Sequence, residues 1–179
     1  MDISLKKNII TTERLTIRRI RTEDWKAMQA LWLDFTKSEY YRYDCPMDTD
    51  DEAVFALVSR WDASSDSLEH MLFTVCLSDQ LIGYVCFNQI EDGYELGYSF
   101  HSAYHRKGYA KESISALLEY LRSLGVKRIE AGTALNNTPS VGLLYSLGFK
   151  RIGTEDVSFF RDDEGNRIYF RGGVYEIRL

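Results

Sequence analysis

The 179-residue sequence predicts an α/β fold in which six to seven strands form a mixed, mostly antiparallel sheet flanked by about four helices. Three observations carry this. Runs of period two and runs at helical spacing alternate in the order strand, two helices, three strands, helix, strand, helix, strands. The three consecutive strands are joined by turns short enough only for antiparallel neighbours. The run from Tyr94 and the run from Val126 are separated by a full amphipathic helix, so they pair in parallel through a right-handed crossover and form a central βαβ unit.

Each element has a local reason. In "RLTIRRI" (Arg14 to Ile20), Leu15 and Ile17 share one side of a strand. From Thr22 the period lengthens: Trp25, Met28, Leu31, Trp32 and Phe35 recur at three and four, and Glu23 and Asp24 suit the positive helix start. "KSEYYRYDCPM" (37–47) has no period and reads as a tyrosine-rich loop. Thr49 and Glu52 have the spacing of a capping box ahead of Val54, Leu57, Val58 and Trp61. "HMLFTVCL" and "LIGYVCFNQI" flank Ser78, Asp79 and Gln80, the length of a hairpin loop. Further on, Ala110, Ile114, Leu117, Leu118, Leu121 and Leu124 form one stripe of the crossover helix, Gly125 ends it and "VKRIEAGTAL" follows as a strand. Asn137, Thr138 and Pro139 open a short helix closed by Gly148, and the remainder reads as strands about a turn at Asp162 to Asn166. No repeat or linker divides the chain, so residues 1–179 read as a single domain.

Composition narrows the function. Hydrophobic residues make up 45%, enough for a sizeable core, and the net charge of −5 disfavours the phosphate backbone of nucleic acid. No run approaches the ~20 apolar residues of a membrane span, and "MDISLKKNII" lacks the apolar stretch of a leader, so no membrane partner and a cytoplasmic location are expected. Cys45, Cys76 and Cys86 are odd in number and without CxxC spacing, which argues against a disulfide framework. His101 and His105 stand four apart in a run that does not look helical, so no metal site is expected.

The chemistry concentrates between Tyr94 and Leu121. One strand face carries Tyr94, Leu96, Tyr98 and Phe100, and the other Glu95, Gly97, Ser99 and His101. A mid-strand glycine among polar residues marks a bulge or a close approach to the backbone. "HRKGYA" follows, and a helix starting near Gly108 presents free N–H groups at the positive end of its dipole. Arg106 and Lys107 at that end are unfavourable to the dipole and point to an anionic ligand such as a phosphate. Gly108 removes the Cβ that would keep a pyrophosphate off the main chain.

"HRKGYA" is similar to the Q/R-x-x-G-x-G/A signature of the GCN5-related N-acetyltransferases. Together with "TTERLTIRRI", "ELGY", "KGYAKE", and Asn137 and Ser140 followed by "LGF" (Leu147 to Phe149), the sequence resembles the ribosomal-protein alanine acetyltransferase group of that superfamily. The elements run in order from Thr11 to about Ile152. Three positions depart from the pattern, one of them Arg106, where the signature usually has a small residue. His105 stands where the signature has Gln or Arg, and Leu144 fills the slot of a tyrosine proposed in many members to protonate the departing thiolate. Tyr145 lies one residue later, about 100° round a helix.

The resemblance implies transfer of an acetyl group from acetyl-CoA to a primary amine, either a small cationic molecule or a peptide N-terminus. His105, Arg106, Lys107, Gly108, Tyr109 and Ala110 would hold the diphosphate. The pantetheine arm would pair with the backbone around Phe100, and Asn137 would cap its helix and contact CoA. Glu95 is the candidate base, directly or through a water, and Ser140 the candidate donor to the leaving sulfur, with Tyr145 and water as alternatives. The loop after the first helix would face the acceptor, and its tyrosines equally suit a core or a homodimer surface. A non-catalytic acyl-CoA-binding module is the competing class. Dinucleotide binding is disfavoured, because no early strand leads into G-x-G-x-x-G.

Overall fold

A computed structural model describes residues 9–179; the reading of the N-terminus as leader-free rests mainly on residues outside that range. The strands are β1 (Ile10–Thr11), β2 (Leu15–Arg19), β3 (His70–Leu77), β4 (Gln80–Ile90), β5 (Gly93–Phe100), β6 (Arg128–Ala134), β7 (Lys150–Arg161) and β8 (Arg167–Arg178). The helices are α1 (Trp25–Phe35), α2 (Asp51–Ala63), α3 (Tyr109–Ser123) and α4 (Thr138–Ser146). Among the described residues eight strands join one sheet in the order β1-β2-β3-β4-β5-β6-β8-β7, in which only β5 and β6 pair in parallel. The mixed, mostly antiparallel sheet and the central βαβ unit are thus as expected. The strand beyond the expected count is β1, a two-residue piece on β2.

Strand alternation sends two sets of side chains to opposite faces. On one face Ile17, Phe73, Val75, Phe87, Leu96, Ile129 and Tyr175 meet Ile114, Leu117 and Leu121 of α3 and Leu144 of α4. On the other, Leu72 meets Met28, Leu31 and Trp32 of α1 and Val54 and Val58 of α2. Phe73 and Phe87 are completely buried, and a side chain of that size contributes roughly 1.5–3 kcal/mol by leaving water.

Helix ends follow local chemistry, with two departures from expectation. The N-cap of α2 is Asp50, not Thr49: its Oδ1 accepts from the amides of Glu52 at 2.9 Å and Ala53 at 3.3 Å. A carboxylate one residue nearer the first turn is the better acceptor. Leu124 is 41% exposed and leaves the buried stripe of α3, because it is already the C-cap. Gly125 follows at φ +86°, where Gly125 N–H donates to Arg122 and Val126 N–H to Leu121, the paired closure that a left-handed residue permits.

Candidate active site

The parallel seam between β5 and β6 is short. Register runs through Tyr94 with Ile129, Glu95 with Glu130 and Leu96 with Ala131 and then stops, although the strands continue to Phe100 and Ala134. On its other side β5 stays paired with β4 as far as Gly83 and Phe100, so the sheet opens on one side of β5 only. His101 N–H donates to Ile82 O at 3.0 Å, which makes residues of that parity the bonded partners of β4. Tyr98 and Phe100, opposite Val85 and Gly83, therefore turn their N–H and C=O groups toward the gap. Phe100 O is met by His105 Nε2 at 2.7 Å. This backbone edge is what a peptide-like ligand arm requires.

At the top of the gap the chain passes through a 3₁₀ turn, Ser102–Tyr104, and enters α3 at Gly108. Two residues are left-handed, Arg106 at φ 58° and Gly108 at φ 84°. The second explains the glycine differently from the sequence reading. The conformation itself demands it, and an added Cβ would stand 3.2 Å from the Arg14 guanidinium. Arg106 is exposed, whereas the Lys107 ammonium folds back on Ala103 O at 2.9 Å. A third cation, which sequence reasoning missed, completes the turn. Arg14 Nη1 donates to Lys107 O at 3.0 Å, its guanidinium lies 4.4 Å from the Tyr109 ring centre, and its Nη2 pairs with Glu112 at 2.6 Å. Burial alone would raise the Glu112 carboxyl, but hydrogen bonds from Thr12 and Arg14 outweigh it and hold the group below the ordinary carboxylate range. The helix start, with Tyr109 and Ala110 at its first positions, is thereby fixed to β2.

Glu95 lies on the α1–α2 side of the sheet in a polar row that register sets across five strands: His70, Asn88, Glu95, Glu130 and Glu176. Arg128 neutralises the far end through Glu130 and through Glu176, the latter at 2.7 Å. Glu95 is exposed and pairs with no cation among the described residues. Gly97, the next residue on that face, is in unbroken register, so the glycine marks a close approach and no bulge: an added Cβ would stand 2.8 Å from Cys86 Sγ. Burial pushes the Cys86 thiol up to about 12, which keeps it protonated.

On the other face α4 docks at the same level. Asn137 caps it, Oδ1 accepting from Ser140 N–H at 3.3 Å, as the sequence suggested. Ser140 Oγ lies 2.7 Å from the Tyr98 hydroxyl. Leu144 is fully buried in the core and carries no hydroxyl, while Tyr145 is 51% exposed with its ring against Tyr175. The two histidines also separate: His101 Nδ1 accepts from Ala103 N–H, and His105 turns to Phe100 O. Among the described residues no group of His, Cys, Asp and Glu is arranged to hold a metal ion, and no helix is long and apolar enough to cross a membrane.

The loop from α1 to α2 reaches over the opening. Tyr41 packs on Phe160 of β7 and Tyr43 on Phe170 of β8, with ring centres 5.4 and 5.1 Å apart. Asn136 Nδ2 donates to Tyr43 Oη at 2.7 Å. Beneath the loop is a groove of about 350 Å3 lined by Arg42, Tyr43, Asn136, Phe170 and Arg171 among others. Asp34 of α1 accepts from Ser102 N–H at 2.7 Å and Ser102 Oγ at 2.8 Å, which ties this face to the turn.

The site combines a one-sided gap in the sheet, a helix start beside Arg106, Lys107 and Arg14, and the exposed Glu95 carboxylate, which is the arrangement of an anion-binding cleft. Residues 14–150 match the family model of the acetyltransferase (GNAT) domain, and the chain belongs to that family of acyl-CoA-dependent amine acetyltransferases. It is 32% identical over 149 residues to the uncharacterized N-acetyltransferase YnaD of Bacillus subtilis (strain 168), covering 80% of this chain and 84% of that protein. A GNAT-family acetyltransferase from Bacillus anthracis superimposes with a TM-score of 0.74 at 27% identity, covering 96% and 98% of the two chains. RimL, a ribosomal L7/L12 α-N-protein acetyltransferase solved with coenzyme A, superimposes with a TM-score of 0.81 at 18% identity, covering 96% and 98%.

Proposed function

We propose that this protein transfers an acetyl group from acetyl-CoA to a primary amine, a protein N-terminus or a small cationic amine, in the manner of the RimJ/RimL-type enzymes. The observation that carries the reading is Glu95: an exposed carboxylate with no cationic partner among the described residues, three residues before Tyr98, the first residue past the paired seam whose backbone faces the gap. Arg106 and the first amides of α3 receive the diphosphate, with Arg14 setting the turn. His105 and Gly108 shape that turn, and Lys107 closes it from below. The gap-facing backbone at Tyr98 and Phe100 aligns the pantetheine arm, and Asn137 adds a contact from the start of α4.

Glu95 takes the proton of the acceptor ammonium, directly or through a water, since an ammonium has no lone pair with which to attack. The amine nitrogen then bonds to the carbonyl carbon, and the backbone N–H groups lining the gap stabilise the oxyanion. The nitrogen loses its second proton to water, and as the carbon–sulfur bond breaks its electron pair stays on sulfur, where Ser140 donates a hydrogen bond. RimL is named for an α-amine acceptor; that amine, with a pKa of about 8, asks less of a single carboxylate than a lysine near 10.4.

The test is thiol release from acetyl-CoA against N-terminal peptides, polyamines and aminoglycosides, with Glu95→Gln beside the unaltered chain. The variant is expected to lose roughly 10²-fold or more in kcat at neutral pH and to recover as pH rises past the acceptor's own pKa of about 8. An unchanged rate at pH 7 removes Glu95 as base. Acetyl-CoA binding without turnover on any amine would instead support the non-catalytic module.

A further inference from the structure

We infer that Tyr98 is a positioning residue for acyl transfer: its hydroxyl donates to Ser140 Oγ and leaves the Ser140 proton free to point at the leaving sulfur. This rests on the reading of Ser140 above and adds a residue to it.

Either hydroxyl can donate across the Tyr98–Ser140 contact, and hydrogen-bond accounting favours the phenol as donor. A phenol has one proton to donate, and the Tyr98 hydroxyl has Ser140 Oγ, at 2.7 Å, as its hydrogen-bond partner among the described residues. Tyr98 comes from β5 at a position whose backbone faces the gap, and its side chain packs at the edge of the core shared by α3 and α4. A tyrosine placed there satisfies its proton by giving it to Ser140. The serine backbone is held as well, because Ser140 N–H donates to Asn137 Oδ1 at 3.3 Å. With its amide tied to Asn137 and its oxygen accepting from Tyr98, Ser140 has one rotatable proton left. Neither Leu144, buried in the core, nor the outward Tyr145 competes for the sulfur.

Acidity separates positioning from relay. Burial raises the Tyr98 phenol to about 12, with the bond to Ser140 acting in the other direction. A thiol titrates at about 8.5, so the buried phenol holds its proton more firmly than the departing sulfur would. Tyr98 therefore orients and does not supply. The nitrogen–carbon bond forms, the nitrogen gives up its second proton to water, the carbon–sulfur bond breaks with its electrons on sulfur, Ser140 stabilises that anion by hydrogen bonding, and water later provides the thiol proton.

The sulfur contact can be read without turnover, by comparing the affinities of CoA and desulfo-CoA at pH 9, where the thiol is largely ionised. The unaltered protein is expected to bind CoA about tenfold more tightly than desulfo-CoA, as befits a hydrogen bond to an anion. Ser140→Ala should abolish that preference. Tyr98→Phe, which keeps the ring and its packing, should reduce it to threefold or less while desulfo-CoA binds as before. In turnover, Tyr98→Phe should lower kcat about fivefold with the KM for acetyl-CoA within twofold, and the double variant should be no slower than Ser140→Ala. An intact CoA preference in Tyr98→Phe, or independent multiplicative losses in the double variant, overturns the role of Tyr98 while Ser140 stands. No preference for CoA in the unaltered protein overturns both.

Discussion

Asn136 Nδ2 donates to Tyr43 Oη at 2.7 Å, and this bond ties the loop between α1 and α2 to the end of β6, across the opening beside β5. The residues are 93 apart in sequence, and the Tyr43 ring is further held against Phe170. Tyr43→Phe keeps the ring contact and removes the hydroxyl. It should raise the KM for the amine acceptor about 3- to 10-fold and leave the KM for acetyl-CoA within twofold, a split that steady-state kinetics with each substrate varied in turn resolves.

The turn before α3 depends on a left-handed Gly108. Gly108→Ala imposes a side chain on φ +84° and crowds Arg14, at a cost of roughly 1–2 kcal/mol. For a chain of this length that corresponds to a fall in Tm of about 2–8 °C, with a parallel loss of CoA affinity by calorimetry.

Among the described residues five carboxyls, Asp34, Asp51, Glu112, Asp162 and Glu176, are held below their ordinary range and give the protein an acid limb, to which two near the site contribute. Glu112 is held below its ordinary range by Thr12 and Arg14 against the effect of burial, and Asp34 by Ser102 and His101 against the same effect. A depressed native pKa contributes stability that is fully present above the unfolded value, about 4.3 for Glu and 3.9 for Asp, and is lost as pH falls through the native value. Tm should therefore decline below about pH 5. Glu112→Gln and Asp34→Asn should each lower Tm at pH 7 and flatten that decline, which a thermal-melt series from pH 7 to 3 measures.

Leu144 fills the slot of the signature tyrosine and is completely enclosed by the core. Leu144→Tyr should overpack it, costing about 1–3 kcal/mol with no gain in turnover. A rise in kcat on that substitution would show that the slot reaches the sulfur.

What the sequence revealed was local. The Gly108 turn, the α3 stripe from Ile114 to Leu121, the Asn137 cap and the Gly125 closure each depend on residues within a few positions of one another. The alternation that puts Glu95 and Tyr98 on opposite faces follows from strand period alone. The contacts it hid join distant segments: Arg14 with Glu112, 98 residues on, and Tyr98 with Ser140, 42 residues on. No periodicity encodes such pairs, since each arises only after the sheet has brought β2 beside α3 and β5 beside α4. The α2 cap was misplaced by one residue because Thr49 and Asp50 are both good caps, and only backbone geometry chooses between them.

The seam of three register pairs joining β5 to β6 carries a dynamic consequence. It divides the sheet into two leaves, β1 to β5 and β6 to β8, that share a short spine. A guest whose amides bond to the free edge of β5 acts as a missing strand and splints the leaves together. The Tyr98 and Phe100 amides should then exchange with deuterium more slowly by about tenfold in saturating CoA, whereas the Gly97 and Ser99 amides, already committed to β4, should scarcely change.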